Sequence, residues 1–567
     1  MQEYVYYSKQ LPDFPLHEEI QVSNDILQLN NNNFLISNSK DVNSEVVANE
    51  IEFYIKNTKD LVSKKIENIK KLYDIASLKY DNAKDFTYPL EIGNRVLLIA
   101  NLENAGEVMR LVKANEFDMF HIDESILKSI DGKIGELNVL VDDQGKDVNI
   151  NVHQIIWFDA KEESLKQSGT YDPKKLGVEE TLKTIRENIN SFEYRNFTTY
   201  DKNICQYHER REDICGRCEE VCPTVAITKD ETNRHLVFSQ VDCHGCGGCI
   251  SICPSGALDY SPTNKDSLYE MSLNFKNTHP LIIPQKMSLD NLNVELKENI
   301  LPFKIEGEKF FHEATFLTLA QISSSQLIFY SDFLSKGTSD SINILNEIYQ
   351  KKYGKDAILV AKDEKQLSAA ISKVDFIAES YFNFNQEGMK KREIFSYRLK
   401  NLVGDETLGE VQTGPNVHYA HVKVNEANCT LCLSCVGACN VDAIFANPSD
   451  NTLRLNPSLC TSCGYCEVSC PESDCLTIQH DVIKLTPSWF KDEVLAQDEL
   501  FACVECGNEF ATKKAIEKIA SIMAPIFKSD PIKEKTLYCC ESCKPKIMMQ
   551  SYMKNSAGYN NKQGVAL

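Results

Sequence analysis

The sequence contains no apolar run approaching the ~20 residues needed to span a bilayer, so no membrane span is expected. Its start, Met1-Gln2-Glu3-Tyr4-Val5-Tyr6-Tyr7, lacks a basic segment followed by an apolar one, so no secretory signal is expected either. Positive charge is scarce: 61 Lys+Arg stand against 82 Asp+Glu, a net charge of −21. That balance argues against nucleic acid or an anionic membrane surface as the main partner. There is no GxGxxG, phosphate loop, flavin fingerprint, molybdenum-site signature or trustworthy Ser/His/Asp order, so neither a dinucleotide site nor a catalytic centre is supported. Disorder is not expected, because 42% of residues are hydrophobic and 9% aromatic. At roughly 150 residues per domain, 567 residues suggest three or four units of a cytoplasmic protein.

Cysteine, by contrast, is abundant. Of 22 cysteines, sixteen fall in four groups of four, five lie near the C-terminus and Cys475 stands alone. Without an export signal, dense cysteines at short fixed spacings read as metal ligands rather than disulfides. The cleanest pair is Cys429-x2-Cys432-x2-Cys435-x3-Cys439 and Cys460-x2-Cys463-x2-Cys466-x3-Cys470-Pro471, in which every ligand of the second set is the first set plus 31. Three thiolates two residues apart wrap one face of a cubane. The fourth follows after about one helical turn, points away and serves the other cluster. This run resembles that of bacterial two-cluster ferredoxins. Carried over, the resemblance gives one [4Fe–4S] cluster to Cys429, Cys432, Cys435 and Cys470, and its twin to Cys460, Cys463, Cys466 and Cys439.

The upstream pair repeats this geometry with one ligand missing. Cys243, Cys246, Cys249 and Cys253-Pro254 match the run, and subtracting 31 from the last three lands on Cys215, Cys218 and Cys222-Pro223. The remaining slot is Glu212. Adding 217 carries 215 to 432, 218 to 435, 222 to 439, 246 to 463 and 253 to 470. Cys205, seven residues before the vacant slot, is the expected replacement. One cluster is then assigned Cys205, Cys215, Cys218 and Cys253, and its twin Cys243, Cys246, Cys249 and Cys222. His208 as ligand, or a three-ligand [3Fe–4S] cluster, are the competing readings.

Near the C-terminus, Cys503-x2-Cys506-Gly507 and Cys540-x2-Cys543 make two knuckle-like pairs. Four thiolates in this pattern suit one tetrahedral zinc, or alternatively one rubredoxin-type iron. Cys539 competes with Cys540 as ligand or is a buried small residue. Cys475 reads as a buried apolar residue.

The expected fold class is multidomain α/β and α+β. It comprises an N-terminal helical region (1–90), an α/β unit (91–200), a 2[4Fe–4S] ferredoxin module (201–265) and a parallel α/β unit (266–385). A connector (386–425), a second 2[4Fe–4S] module (426–482) and a zinc-ribbon or treble-clef-like region with a frayed tail (483–567) follow. Periodicity places helix across 44–80 and 104–115, and strands at 94–101, 119–122, 138–141 and 148–158. Between 297 and 381, strands at 301–305, 326–330, 357–361 and 374–378 alternate with helices near 311–322, 339–353 and 364–373. Ser339 and Gly354 are the expected caps of the middle helix. Lys390, Lys391 and Arg392 read as a solvated helix face.

The segment Cys205-x2-His208, Cys215-Gly216-Arg217-Cys218, Cys222-Pro223 and Cys243-His244-Gly245-Cys246-Gly247-Gly248-Cys249, with the flanking α/β units and Gly169-Thr170-Tyr171-Asp172-Pro173, resembles large bacterial polyferredoxins. Such proteins are found with formate dehydrogenase systems, and the Asn- and Lys-rich chain with its Cys503–Cys543 appendix is similar to the form in Campylobacter-like bacteria. The resemblance implies an iron–sulfur electron carrier for a cytoplasmic oxidoreductase, with formate dehydrogenase as a partner. The alternative is an accessory or maturation factor for such an enzyme. No substrate site is identified, and only residues 297–381 leave room for an enzyme reading. Oligomeric state is not legible.

Overall fold

Aromatic and β-branched residues open the chain, and they form strands. The computed structural model describes residues 2–560 except Asn30, Asn291 and Ser529. It divides into two compact units, Met1–Arg398 and Leu399–Leu567. In the first, β1 (Gln2–Tyr7), β2 (Ile20–Ser23), β3 (Phe34–Ser37) and β4 (Ser44–Val47) form a parallel sheet in the order β2-β1-β3-β4. Two helices follow, α1 (Glu50–Asn57) and α2 (Val62–Asp81). Residues 1–90 are therefore a sheet-and-helix layer, not a helical region, and the helix expected from 44 begins at Glu50. Val5 and Tyr7 alternate with a period of two and bury against Leu29, Phe34 and Val42.

The next layer pairs two sheets. Strands β5 (Arg95–Ile99), β6 (Asp118–Ile122), β10 (Gln154–Trp157) and β11 (Thr170–Tyr171) are parallel, while β7 (Leu127–Lys133), β8 (Glu136–Asp143) and β9 (Lys146–Val152) form an antiparallel meander. Leu97, Ile99, Ile155 and Trp157 pack against Leu137, Val139 and Val141. Alternate residues Val96, Leu98 and Ile156 face Leu182 and Ile185 of α4 (Val178–Asn190), with α3 (Leu102–Leu111) on the same side. The single strand expected over 148–158 is two, broken at His153.

The first cysteine module carries the short helix α5 (Gly248–Ile252). A third sheet layer stands beside it, built from β12 (His279–Pro284), β13 (Ile300–Ile305), β14 (Leu327–Tyr330) and β15 (Ile358–Ala361), parallel and ordered β13-β12-β14-β15. The interior strand β12 is not among the expected elements because Pro280 and Pro284 bracket it, and proline argues against a central strand. Conversely, Val374–Ala378 makes only an isolated bridge, Phe376 to Ser325, and then a 3-10 turn. Helices α6 (Glu313–Ser323), α7 (Lys336–Tyr353) and α8 (Glu364–Lys373) complete this layer. Ser335 caps α7, its Oγ accepting from the Thr338 N–H at 3.1 Å; Ser339 lies inside the helix, and Gly354 ends it at φ +67°.

The expected connector begins with a helix, α9 (Lys391–Val403), whose first two residues are buried. Lys391 donates to the Cys253 carbonyl at 3.1 Å and pairs with Glu313 at 3.2 Å; Arg392 Nε donates to the Pro254 carbonyl at 2.6 Å. The expected solvated face is thus wrong for these two side chains, because carbonyls and a carboxylate of the neighbouring layers supply what burial removes.

In the second unit, β16 (Ala420–Val424) pairs with β19 (Leu476–His480), and β17 (Ile444–Asn447), β18 (Thr452–Leu455) and β20 (Glu493–Gln497) form a small antiparallel sheet. The end of the expected connector is therefore an edge of the second module. A hairpin of β21 (Leu500–Ala502) and β22 (Glu509–Thr512) follows, then α10 (Lys513–Phe527) and α11 (Cys543–Asn560). The backbone beyond Tyr552 is helical to Asn560; the last seven residues lie outside the described ones.

Gly337, in the first turn of α7, locks the third sheet layer to α5. A β-carbon there would lie 2.9 Å from the carbonyl carbon of Ser251. Gly337→Ala is expected to cost about 1–3 kcal/mol by overpacking, read as an earlier anaerobic denaturation midpoint.

Candidate metal centres

The loops between the cysteines have unusual backbones. In each regular CxxCxxC stretch, the residues just before and just after the second cysteine are left-handed: Gly245 and Gly247, Leu431 and Leu433, Ser462 and Gly464, at φ between +53° and +80°. Such turns aim successive amides into one concavity. Burial pushes the Cys243 thiol up to about 11, partly offset by the backbone N–H of Gly245. Burial likewise raises Cys429, against the N–H of Leu431. At the irregular stretch, Gly216 is extended at φ 169° instead, while Leu433, its counterpart in the second module, is left-handed at φ +61°.

The sulfurs gather in four sets. One cavity is lined by Cys205, Cys215, Cys218 and Cys253 with Tyr200, Gly216 and Pro254. A second is lined by Cys222, Cys243, Cys246 and Cys249 with Pro223 and Phe238. A third is lined by Cys429, Cys432, Cys435 and Cys470, and by Cys475. The fourth set shows in the thiol of Cys466, which burial raises and then Cys460, Cys463 and Cys439 raise further. In the same way burial and then Cys429, Cys432 and Cys470 push Cys435 up to about 12. The two sets of each module are neighbours: Cys249 is also raised by Cys218, and Cys466 by Cys435.

Each set brings together the three close cysteines of one motif and the last cysteine of the other. Cys205 stands in the set of Cys215, Cys218 and Cys253, while His208 stacks on His235, with Nδ1 atoms 3.0 Å apart. None of the 22 cysteines is in a disulfide, so convergence here is not disulfide formation. Soft donors in fours, in buried pockets ringed by inward amides, fit thiolate-held iron–sulfur clusters.

The surroundings of the sets differ. Tyr260 donates to the Gly245 carbonyl at 2.8 Å, the Lys309 amide donates to the Cys246 carbonyl, and a β-carbon on Gly247 would lie 2.5 Å from the Phe310 side chain. The third sheet layer therefore closes over the second cavity. Cys475 is buried, as expected, but in the cavity of Cys429 and Cys470, a placement its sequence position does not signal. Lys391 and Arg392 meet the Cys253–Pro254 carbonyls from far along the chain, which no local pattern reveals.

At the C-terminus, Cys503 and Cys506 lie at the tip of the β21–β22 hairpin, turned by Gly507 at φ +76°. Cys543 opens α11 and Cys540 precedes it by one turn. The sulfurs of Cys503, Cys506, Cys540 and Cys543 all lie within 4.8 Å of one another. Cys506 and Cys540 are 3.8 Å apart, close to the roughly 3.8 Å edge of a tetrahedron with ~2.3 Å metal–sulfur bonds. Burial would raise the Cys503 thiol, but the N–H groups of Cys540, Cys506 and Glu505 bring it down to about 6. Cys539 is fully buried and donates to the Lys535 carbonyl at 3.3 Å, outside this quartet.

No helix among the described residues is long and apolar enough to cross a membrane. Two matches to family models extend the geometric reading. A model described as a 4Fe-4S dicluster domain matches residues 213–257, and another of the same description matches residues 421–471. The first begins downstream of Cys205. No curated protein matches the chain. The chain therefore carries two 4Fe-4S dicluster domains, which together fit four clusters and an iron–sulfur electron-transfer role.

Proposed function

We propose that this chain relays single electrons for a partner oxidoreductase through four [4Fe–4S] clusters. Their ligand sets are Cys205, Cys215, Cys218 and Cys253; Cys243, Cys246, Cys249 and Cys222; Cys429, Cys432, Cys435 and Cys470; and Cys460, Cys463, Cys466 and Cys439. The observation that supports this most is the crossed gathering of sulfurs, in which the last cysteine of each motif joins the other motif's set. Bound cubanes supply one-electron chemistry; the chain fixes their spacing, environment and exposure. Cys432 is exposed beside exposed Leu433, which gives the second module a surface point for exchange. The polyferredoxin resemblance makes a formate dehydrogenase the partner to test first. The net charge of −21 favours a basic docking patch on that partner.

Cys503, Cys506, Cys540 and Cys543 are proposed to hold one zinc in a closed, treble-clef-like site. The complete set of four thiolates leaves no open position for catalysis. A rubredoxin-type iron at the same four sulfurs is the alternative that metal analysis separates.

Anaerobically purified protein should contain four clusters' worth of iron and sulfide and one zinc per chain. Only two clusters' worth would defeat the relay, and a fifth iron site without zinc would replace the zinc assignment. Electron transfer from reduced formate dehydrogenase should slow steeply from low to moderate salt; a flat stopped-flow rate would remove the steering.

The irregular set should be the most labile, since nine residues separate Cys205 from Cys215 where the regular motif has two. Cys205→Ser should convert one cluster to a three-iron EPR signal and leave the downstream module unchanged. An unchanged spectrum would give that position to another ligand. The same irregularity favours the second reading, a maturation factor: incubation with apo-enzyme should then transfer this cluster and leave the other three in place.

A further inference from the structure

The two modules share an internal geometry but differ in charge at one equivalent place, the backbone after the last ligand. In the first module, Cys253-Pro254-Ser255-Gly256 runs against the start of α9. The Cys253 carbonyl accepts from Lys391 Nζ at 3.1 Å and the Pro254 carbonyl from Arg392 Nε at 2.6 Å. Lys391 is 5% exposed and Arg392 2%. The contact is close: Gly256 has φ +74°, and a β-carbon there would lie 2.6 Å from Cβ of Lys391. The two cations are fixed by packing as well as by hydrogen bonds. Glu313, fully buried, pairs with Lys391 at 3.2 Å.

In the second module the equivalent positions are Cys470-Pro471-Glu472. An acidic side chain replaces Ser255, accepting from Thr430 at 2.8 Å and pairing with Lys518. Two cations and one carboxylate thus stand at the first site, and one of each at the second. A cluster gains one negative charge on reduction. A buried cation nearby stabilises the reduced form more than the oxidised one, and low local dielectric magnifies the difference.

We propose that Lys391 and Arg392 are potential-setting residues for the cluster of Cys205, Cys215, Cys218 and Cys253, raising its midpoint above that of its counterpart at Cys429, Cys432, Cys435 and Cys470. This rests on the four-cluster reading above. The two residues act through the ligand backbone and their charge. Of these two clusters, the irregular one is then the better electron acceptor.

The test is an EPR-monitored redox titration of full-length protein, with the cluster identified as the signal that Cys205→Ser converts. Arg392→Gln should shift its midpoint negative by about tenfold in the oxidised-to-reduced ratio, about 59 mV for one electron, leaving the other three clusters in place. Arg392→Lys, which keeps the charge, should stay near wild type. Glu313→Gln should shift the same midpoint positive. Full cluster content with no shift in Arg392→Gln, or equal shifts in the Gln and Lys variants, overturns the proposal. Should Arg392→Gln lose its cluster, Glu313→Gln decides: a positive shift upholds the assignment and an unchanged or negative one overturns it. Wild-type protein lacking cubane signals altogether would instead defeat the four-cluster reading.

Discussion

Sulfur packed against sulfur in a buried pocket is the constraint on which the rest of this protein depends. A buried thiol resists ionisation, and each neighbouring thiolate makes it resist further, as the upward displacement of Cys218, Cys249, Cys435 and Cys466 records. A shared cation centre would relieve all four thiolates at once, so binding of the proposed clusters would couple deprotonation to folding. The fold meets the constraint locally with left-handed turns that bring amides toward sulfur. Leucine occupies two of those turns, Leu431 and Leu433. Left-handed backbone costs such residues about 1–2 kcal/mol each, a cost that makes sense where the turn's amides serve the thiolates beside it.

The same local solution is placed in two different settings. The first module is held among sheet layers: α7 presses Gly337 on Ser251, the segment through Phe310 lies over Gly247, and α9 brings cations to Pro254. The second is flanked by its own small sheet and the C-terminal hairpin. Repeated motif with divergent surroundings is the arrangement expected where cluster chemistry stays constant and environment tunes it. The α/β layers around the first module thereby gain a physical role beyond spacing, since their side chains make its walls.

Legibility in the sequence followed the range of the interactions. Ligand spacing is a short-range property, so the repeated motifs from Cys429 to Cys470 could be read from the sequence, and the resemblance to two-cluster ferredoxins implied their crossed sets. The place of Cys205 needed the comparison of the two modules to expose Glu212 as a vacant slot. Strands such as β5 and helices such as α8 were legible from periodicity. What escaped was decided by distant partners. The interior strand β12 hides behind two prolines, β1 to β4 are too short for a strong period, and Lys391 and Arg392 look solvated until Glu313 and the Cys253–Pro254 carbonyls meet them. Local charge in sequence reports solvent only when no folded layer supplies a counter-group.

The C-terminal thiol quartet follows from the same logic applied to structure rather than redox chemistry. Its hairpin ends in Thr512, whose hydroxyl donates to the Thr430 carbonyl, inside the loop between Cys429 and Cys432. The helix that follows places Lys514 on the Glu426 carbonyl and Lys518 on Glu472, just before and just after that ligand set. Such polar contacts at an exposed flank contribute little individually. They gain effect if the element that bears them is rigid, because less ordering entropy is then lost in making them. A small hairpin and a helix have little core with which to be rigid, and Ile519, Ile522 and Ile526 remain exposed along that helix. Four thiolates on the ion proposed for them would replace the missing core. The metal proposed for Cys503, Cys506, Cys540 and Cys543 therefore braces, through Thr512 and Lys518, the very loop whose sulfurs face the third cavity.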